Sequence, residues 1–170
     1  MKKYFSLFII IGTATMIVVI IKTGATLQPA TTNGILDLEL AYSTAKATNV
    51  INAWAATDNI NAAKTNTWFD FIFIFFYSLF LYNTCNFLSK SFTSFLNRAG
   101  RLLAKAAIAA GILDILENMG MLITLNGFIS SGITFLTAFF SFIKWMLVIA
   151  LVLYMLVAGT IVLVKKIQTN

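Results

Sequence analysis

Apolar runs alternate with polar segments along the chain, and four of these runs predict membrane-spanning helices. A helix rises about 1.5 Å per residue and the hydrocarbon core of a bilayer is about 30 Å thick, so that about 20 apolar residues can cross it. We therefore predict an all-α membrane protein, a four-helix transmembrane bundle in a single domain of residues 1–170. The spans are predicted at about residues 4–21, 68–88, 102–125 and 144–164.

The first apolar run could be either a retained membrane span or a cleaved signal peptide. Lys2 and Lys3 before the first run would also suit a cleaved signal peptide, but the apolar part of such a peptide is typically about 7–15 residues and this run is longer. We predict that the first span is retained.

Apolar residues continue from Ile133 to Val164, which at about 1.5 Å per residue is too long for one straight span. We predict that residues 133–143 are an interfacial or tilted extension of the fourth span.

The polar segment of residues 33–66, between the first two spans, contains a helical stripe. Asn33-Gly34 can cap a helix start. Apolar or small residues then recur at alternating spacings of four and three, as on one face of a helix: Leu36, Leu40, Ser43, Ala47, Val50 and Trp54. We predict an extracytoplasmic amphipathic helix that lies on the membrane surface or packs on the outer end of the bundle.

Composition excludes several classes of site. The chain is 59% hydrophobic and 11% charged, with no His and a single cysteine, Cys85. The usual general base at neutral pH, a disulfide framework and a cysteine-based zinc site are therefore absent. No nucleotide-binding, EF-hand or nucleophile-elbow motif occurs. We expect no metal, no cofactor and no nucleic-acid partner, and the sequence identifies no catalytic residue.

The net charge is +6, and the basic residues are distributed unevenly between the two sides of the predicted bundle. Eight basic residues lie on the side of the predicted bundle that holds both termini, and four lie on the other side. The eight are Lys2, Lys3, Lys90, Arg98, Arg101, Lys105, Lys165 and Lys166. Because cytoplasmic segments carry an excess of Lys and Arg, we predict a multi-pass protein with both termini in the cytoplasm. Trp54, Trp68 and Trp145 then fall toward the outer side, where interfacial anchors are expected.

Ionisable residues inside the predicted spans need an explanation, because a charge at the centre of a membrane helix costs roughly 2.5–3.5 kcal/mol. Counted along the helices from the cytoplasmic lysines, Asp70 and Lys144 lie at matching heights near the outer face. We predict an ion pair between them. The alternative is that both side chains reach the outer water separately.

A second set of polar residues lies deeper. Asp114, Glu117 and Asn118 share one face of the third span, and small residues continue that face at Ala107, Ala110 and Gly111, which lets a neighbouring helix approach closely. The same count places no basic residue at their depth, so the two acids are expected to be partly protonated, to share a proton or to hold a metal ion. The predicted polar cluster consists of Asp114, Glu117, Asn118, Asn83, Tyr77 and Tyr154. Its role is either a proton, cation or acid–base site, or a polar core that fixes helix register.

Several stretches together resemble a family of small bacterial inner-membrane proteins with four predicted spans and a D-x-x-E-N motif in the third. They are Leu36-Asp37-Leu38-Glu39-Leu40-Ala41-Tyr42, Trp54, Asp70-Phe71-Ile72-Phe73 with Tyr77, Asp114-Ile115-Leu116-Glu117-Asn118, and Lys144. The resemblance extends over about residues 35–160. It implies the four-span layout and a bacterial inner membrane, and no particular reaction.

Two classes of function follow from these observations. The first is a small integral membrane protein that acts by binding lipid or a partner protein, which includes a second copy of itself, without catalysis. The alternative is a proton- or cation-coupled transporter, or an intramembrane enzyme acting on a lipid-borne substrate, that uses the buried acids Asp114 and Glu117.

Overall fold

The computed structural model describes residues 2–93 and 95–168, and the regular structure of these residues is entirely α-helical. Four of the helices are long and apolar enough to cross a membrane. The predicted all-α, four-helix transmembrane bundle is confirmed. The helices are α1 (Lys2–Ala25), α2 (Leu36–Glu39), α3 (Thr44–Ala56), α4 (Ile60–Ser89), α5 (Phe95–Leu125) and α6 (Ser131–Gln168).

The four long helices run up and down in chain order. α4 packs against α1 and α5, and α5 packs against α6. The start of α1, the α4–α5 connection and the end of α6 therefore share one side of the bundle, which we call the terminal side. The opposite side carries residues 26–59, which include α2 and α3 and which we call the cap. α2 contacts α5 and α6, and α3 contacts α4 and α6, so that the cap rests on the bundle.

The small-residue face of α5 lies in the interior, as its spacing indicates. Ala107 and Ala110 are completely buried. A Cβ atom on Gly111 would lie 3.1 Å from the Cβ of Ser78, so that α4 and α5 approach more closely than a larger residue would allow. This contact brings the polar residues of α4 and α5 into reach of one another.

The long helices extend beyond the predicted spans. α4 begins at Ile60 and α5 at Phe95, each about two turns before the predicted start. α6 is one continuous helix of 38 residues that includes the predicted extension of residues 133–143. No proline or glycine interrupts residues 133–143, so the helical hydrogen bonds continue through them.

The amphipathic helix predicted within residues 33–66 is broken into pieces. Gly34 has a φ of 61° and forms a turn, and α2 then runs for only four residues. Ser43 has extended backbone and its Oγ accepts a hydrogen bond from the N–H of Lys46, which starts α3. Asp58, with a φ of 55°, separates α3 from α4. Local capping and turn conformations thus override a stripe that looks continuous in the sequence.

Two buried apolar clusters fill the molecule. The first lies in the terminal half of the bundle and is formed by Ile74, Tyr77, Leu81, Cys85, Leu88, Phe92, Ala104, Ala107, Leu151, Tyr154 and Ala158. The second joins the cap to the end of α5 and is formed by Leu27, Leu38, Ala41, Ala47, Trp54, Ala63, Met121 and Leu125. A layer of polar side chains lies between the two.

Trp54 belongs to the second apolar cluster, which corrects one prediction. Its side chain is 0% exposed, and its Nε1–H donates a hydrogen bond to Thr31 Oγ1 at 3.1 Å. Trp54 is therefore not an interfacial anchor. Trp68 is 62% exposed and Trp145 is 39% exposed, so these two indoles do reach the outside of the bundle.

Candidate functional site

The polar layer is centred on the ammonium group of Lys144 on α6. Its Nζ lies 2.7 Å from Glu117 Oε2, 3.0 Å from Asp114 Oδ1 and 3.6 Å from Glu39 Oε2. Lys144 is 6% exposed and Glu117 is 0% exposed. One buried cation is therefore shared by two carboxylates of α5 and one carboxylate of the cap.

Helix α4 adds two polar residues to this layer. The hydroxyl of Tyr77 donates a hydrogen bond to Asp114 Oδ2 at 2.7 Å, and Asn118 Nδ2 donates one to Asp70 Oδ2 at 2.7 Å. The layer thus links α2, α4, α5 and α6. We call the following residues the acid–lysine cluster: Glu39, Asp70, Tyr77, Asp114, Glu117, Asn118 and Lys144.

Helical spacing explains why α5 and α6 contribute several groups each. Asp114, Glu117 and Asn118 lie three and four residues apart on one face of α5. On α6, Ser141 Oγ lies 3.5 Å from Glu39 Oε2 and donates a hydrogen bond to it, and Trp145 Nε1–H donates another at 3.4 Å. The carboxylate that the cap inserts is thus held by three side chains of α6.

Some acceptors of the cluster have no donor. Glu117 Oε1 and Asn118 Oδ1 are buried and have no hydrogen-bond partner among the described residues. Glu117 Oε2 lies within ion-pair distance of Lys144 without forming an aligned hydrogen bond. Buried polar atoms in native proteins are normally satisfied, so the cluster has spare capacity to accept a proton or another donor.

The charges of the cluster do not balance when every group is ionised. Glu39, Asp70, Asp114 and Glu117 supply four carboxylates against the single ammonium of Lys144. Burial penalises charge, and uncompensated buried charges are the most costly. Within residues 2–93 and 95–168, no group of three or more His, Cys, Asp or Glu residues is arranged to hold a metal ion.

The predicted ion pair between Asp70 and Lys144 is not formed. Lys144 pairs with the other three acids, and Asp70 accepts its hydrogen bond from Asn118. The prediction measured depth from the lysines that it expected on the cytoplasmic side, but Lys105, the reference for Asp114, already lies well inside α5. Counted instead from the loop of residues 126–130, Asp114 and Lys144 lie at nearly the same depth, about three and about three and a half turns away.

Two residues of the predicted polar cluster lie elsewhere. Asn83 Nδ2 donates a hydrogen bond to the carbonyl of Leu79 in its own helix at 2.8 Å. Tyr154 donates its hydroxyl to the carbonyl of Leu96, near the start of α5, at 3.1 Å. Both positions belong to the terminal half of the bundle, because α4 and α6 carry them toward that side. The structure does bring Tyr77 together with Asp114, Glu117 and Asn118.

Sequence reasoning missed the contribution of Glu39 to this site. Glu39 ends a four-residue helix, which is too short to show a periodic pattern. It also lies in the polar segment, where an acid is ordinarily solvated, yet it is buried against α6. A usable signal was the single basic residue between Lys105 and Lys165, namely Lys144, which needed partners at its own depth.

The chain matches no protein-family model, no curated protein and no solved structure. The resemblance to small bacterial inner-membrane proteins therefore stays a prediction.

Proposed function

We propose that this multi-pass membrane protein binds and releases protons at the acid–lysine cluster, and that proton occupancy controls how firmly the cap closes on the bundle. The observation that carries the proposal is the sharing of one buried ammonium, that of Lys144, by Glu39, Asp114 and Glu117. The proposal takes up the proton-coupled alternative from the sequence. Lipid or partner-protein binding and an enzymatic role stay predictions.

The electrostatic support comes from the excess of acids. A buried carboxylate without a cation is more stable in its neutral form, and neighbouring carboxylates raise the cost of ionising one another. Acids that interact this strongly exchange protons as a group. A proton on Glu117 would also give this residue a donor, and Glu117 Oε1 has no hydrogen-bond partner in the part of the chain that the structure describes. Ionisable groups inside membrane bundles commonly serve proton relays for this reason.

The link to the cap comes from Glu39. This residue is the member of the cluster that the cap contributes, and it is bound to Lys144 in competition with the acids of α5. When the α5 acids are neutral, Lys144 attracts Glu39 without opposition. When they lose protons, their negative charge repels Glu39 and weakens its attachment. The cap is thus the element whose position changes with the charge of the cluster.

We also propose that the protein lies in a bacterial inner membrane with both termini in the cytoplasm. The bacterial inner membrane is what the resemblance implies. The orientation is supported by the basic residues on the terminal side, which include Lys90, Arg98 and Lys105 with no acid among them. In that orientation, the cap faces the outside. The cluster would then take up protons from the outer side when the cap opens.

The decisive experiment is the pH dependence of thermal unfolding in detergent for the wild type and for Asp114→Asn/Glu117→Gln. Above about pH 5, an unfolded chain has lost most carboxyl protons. If the folded cluster keeps at least one proton, unfolding releases it, and stability falls with rising pH by up to about 1.4 kcal/mol per pH unit for each proton. We expect the wild type to lose stability relative to the double variant between about pH 5 and pH 8.

Asp58→Asn is the matched control, because Asp58 is an exposed acid of the cap and asparagine tolerates its φ of 55°. In this variant, the stability should change with pH as steeply as in the wild type.

Hydrogen exchange of α3 should also accelerate with rising pH in the wild type, beyond the intrinsic pH dependence of amide exchange, and less so in the double variant. Parallel stability curves for the wild type and the double variant would overturn the proposal.

A further inference from the structure

A crevice of about 700 Å³ lies between α1 and α4 in the terminal half of the bundle. This volume is in the range of small-molecule sites, which is about 300–1,000 Å³. Toward the cap the two helices are in close contact, because the ring of Phe76 occupies the space that a side chain at Gly12 would fill, and it packs on Phe8 at a centroid distance of 5.4 Å. Toward the terminal side, the crevice extends to Lys90, at the end of α4.

The walls of the crevice are apolar and face the outside of the bundle. Phe5 and Ile10 of α1, and Phe80 and Phe87 of α4, line it. Phe87 is 69% exposed, although it belongs to a helix that spans the membrane. Phe80 and Phe87 are two turns apart, or about 10 Å along the helix axis. Such a wall suits a hydrocarbon chain lying parallel to the helices.

Besides Ser6 of α1 and Thr84, the crevice is lined by three polar residues that share one face of α4 near its terminal end. Asn83, Asn86 and Lys90 follow one another at spacings of three and four residues. One N–H of the Asn83 amide donates to a carbonyl of its own helix, which leaves the second N–H as a donor and the amide oxygen as an acceptor. None of the described residues that line the crevice is acidic. An apolar wall that ends in amides and one lysine is complementary to an amphiphile with a negative head.

We infer that this crevice is a binding site for one anionic phospholipid. The phosphate pairs with the ammonium of Lys90, amide N–H groups of Asn83 and Asn86 donate to the ester oxygens, and one acyl chain lies along Phe80 and Phe87. Basic residues near a membrane surface attract anionic headgroups, and the terminal side is basic. The crevice shares no residue with the acid–lysine cluster, so this site is independent of the proposed proton binding.

The test is native mass spectrometry of the purified protein with phosphatidylglycerol and with phosphatidylcholine of the same acyl chains. We expect the wild type to retain one phosphatidylglycerol in preference to phosphatidylcholine. Lys90→Gln should weaken phosphatidylglycerol binding about five-fold, the usual value of one lysine near an anionic surface. The matched control is Lys105→Gln, which removes the same charge from an exposed position of α5 outside the crevice. Equal losses in the two variants would mean attraction by surface charge alone and would overturn the site.

Two further measurements test the hydrogen bond to Asn83 and the contact of the acyl chain with Phe87. Asn83→Leu keeps every charge and should still lower binding by at least about two-fold, because a hydrogen-bonding group is lost. Glycerol 3-phosphate should not displace the bound lipid, since it lacks the chain that Phe87 contacts. Displacement by this soluble headgroup, or unchanged binding in Asn83→Leu, would contradict a lipid site.

Discussion

Glu39 Oε2 lies 3.6 Å from Lys144 Nζ, and this contact ties the cap to the longest helix of the bundle. The cap is also held by apolar packing, in which Leu38 and Trp54 belong to the same buried cluster as Met121 of α5. The two kinds of contact respond to different conditions. Apolar packing is insensitive to pH, whereas the ionic contact depends on the charge of the α5 acids, so that the cap can loosen at the cluster while it stays attached to the bundle.

The hydroxyl of Tyr77 should contribute measurably to the stability of the bundle. Tyr77→Phe removes the hydrogen bond to Asp114 Oδ2 and leaves a buried carboxylate with one donor fewer. We expect the free energy of unfolding to fall by about 1–3 kcal/mol, measured by thermal or denaturant unfolding in detergent. Tyr82→Phe is the control, because the hydroxyl of Tyr82 forms no hydrogen bond within the described residues. Equal effects of the two substitutions would mean that the Tyr77 hydroxyl is not bonded to the cluster.

Gly100 should be sensitive to substitution by alanine. A Cβ atom there would collide with Tyr154 Oη and lie 2.7 Å from the Cβ of Ser89. We expect Gly100→Ala to destabilise the protein by about 1–3 kcal/mol, as overpacking usually does. Tyr154→Leu in the same chain should recover part of the loss, since it removes both Oη and Cζ of Tyr154, the two atoms of that side chain that the new Cβ would meet. A double-mutant cycle of melting curves measures the coupling.

Gly159→Ala serves as the counterpart, because no atom of the described residues lies within 4 Å of a Cβ at Gly159 in α6. Alanine is favoured over glycine in a helix by about 1 kcal/mol, so this variant should be neutral or more stable. Destabilisation by Gly159→Ala to the same extent as by Gly100→Ala would contradict the close approach of α5 to Tyr154 and Ser89.

Trp54 should stabilise the cap far more than Trp68 stabilises the bundle. Trp54→Phe leaves space in the second apolar cluster and removes the hydrogen bond to Thr31 Oγ1. We expect a loss of about 1–3 kcal/mol and faster hydrogen exchange in α3. Trp68→Phe changes an exposed side chain and should stay within about 0.5 kcal/mol of the wild type. Similar losses in both variants would argue against a packed cap.

The proposed orientation can be tested by labelling single cysteines in intact bacterial cells that express the chain. The native Cys85 is completely buried, so the wild type provides a background with little reaction. Asn61→Cys, at an exposed position on the cap side, should react with a membrane-impermeant maleimide. Ser91→Cys, exposed on the terminal side, should react only after the cells are permeabilised. The reverse result would invert the orientation.

The four-helix transmembrane architecture could be predicted from the sequence, because the length of an apolar run decides whether a helix can cross a bilayer. The end of α5 at Leu125 and the burial of Asp114, Glu117 and Asn118 also followed from local patterns. The interruption of the cap helix did not, since one turn at Gly34 and one cap at Ser43 determine it.

The partners of Lys144 could not be read from the sequence. They depend on how deep in the bundle each residue of α5 and α6 lies. Counting from the lysines or from the loop of residues 126–130 places the same residue at depths that differ by several helical positions. Asp70 illustrates the error: it lies in the same layer, yet Asn118 rather than Lys144 donates to it. Glu39 was harder still, because it enters from a separate segment whose path over the bundle is set by tertiary packing.

The length of α6 has a consequence for the membrane that surrounds it. At 38 residues this helix is about 57 Å long, so that a tilt of about 20°, the average for membrane helices, still leaves it longer than a hydrocarbon core of about 30 Å. The excess length of α6 over the hydrocarbon core is then accommodated in two ways. The helix tilts, and part of residues 133–143 lies outside the hydrocarbon core. Lys144 moves with that tilt, whereas Asp114 and Glu117 move with α5. We therefore expect bilayer thickness to act mechanically on the same network of charges to which we assign proton binding.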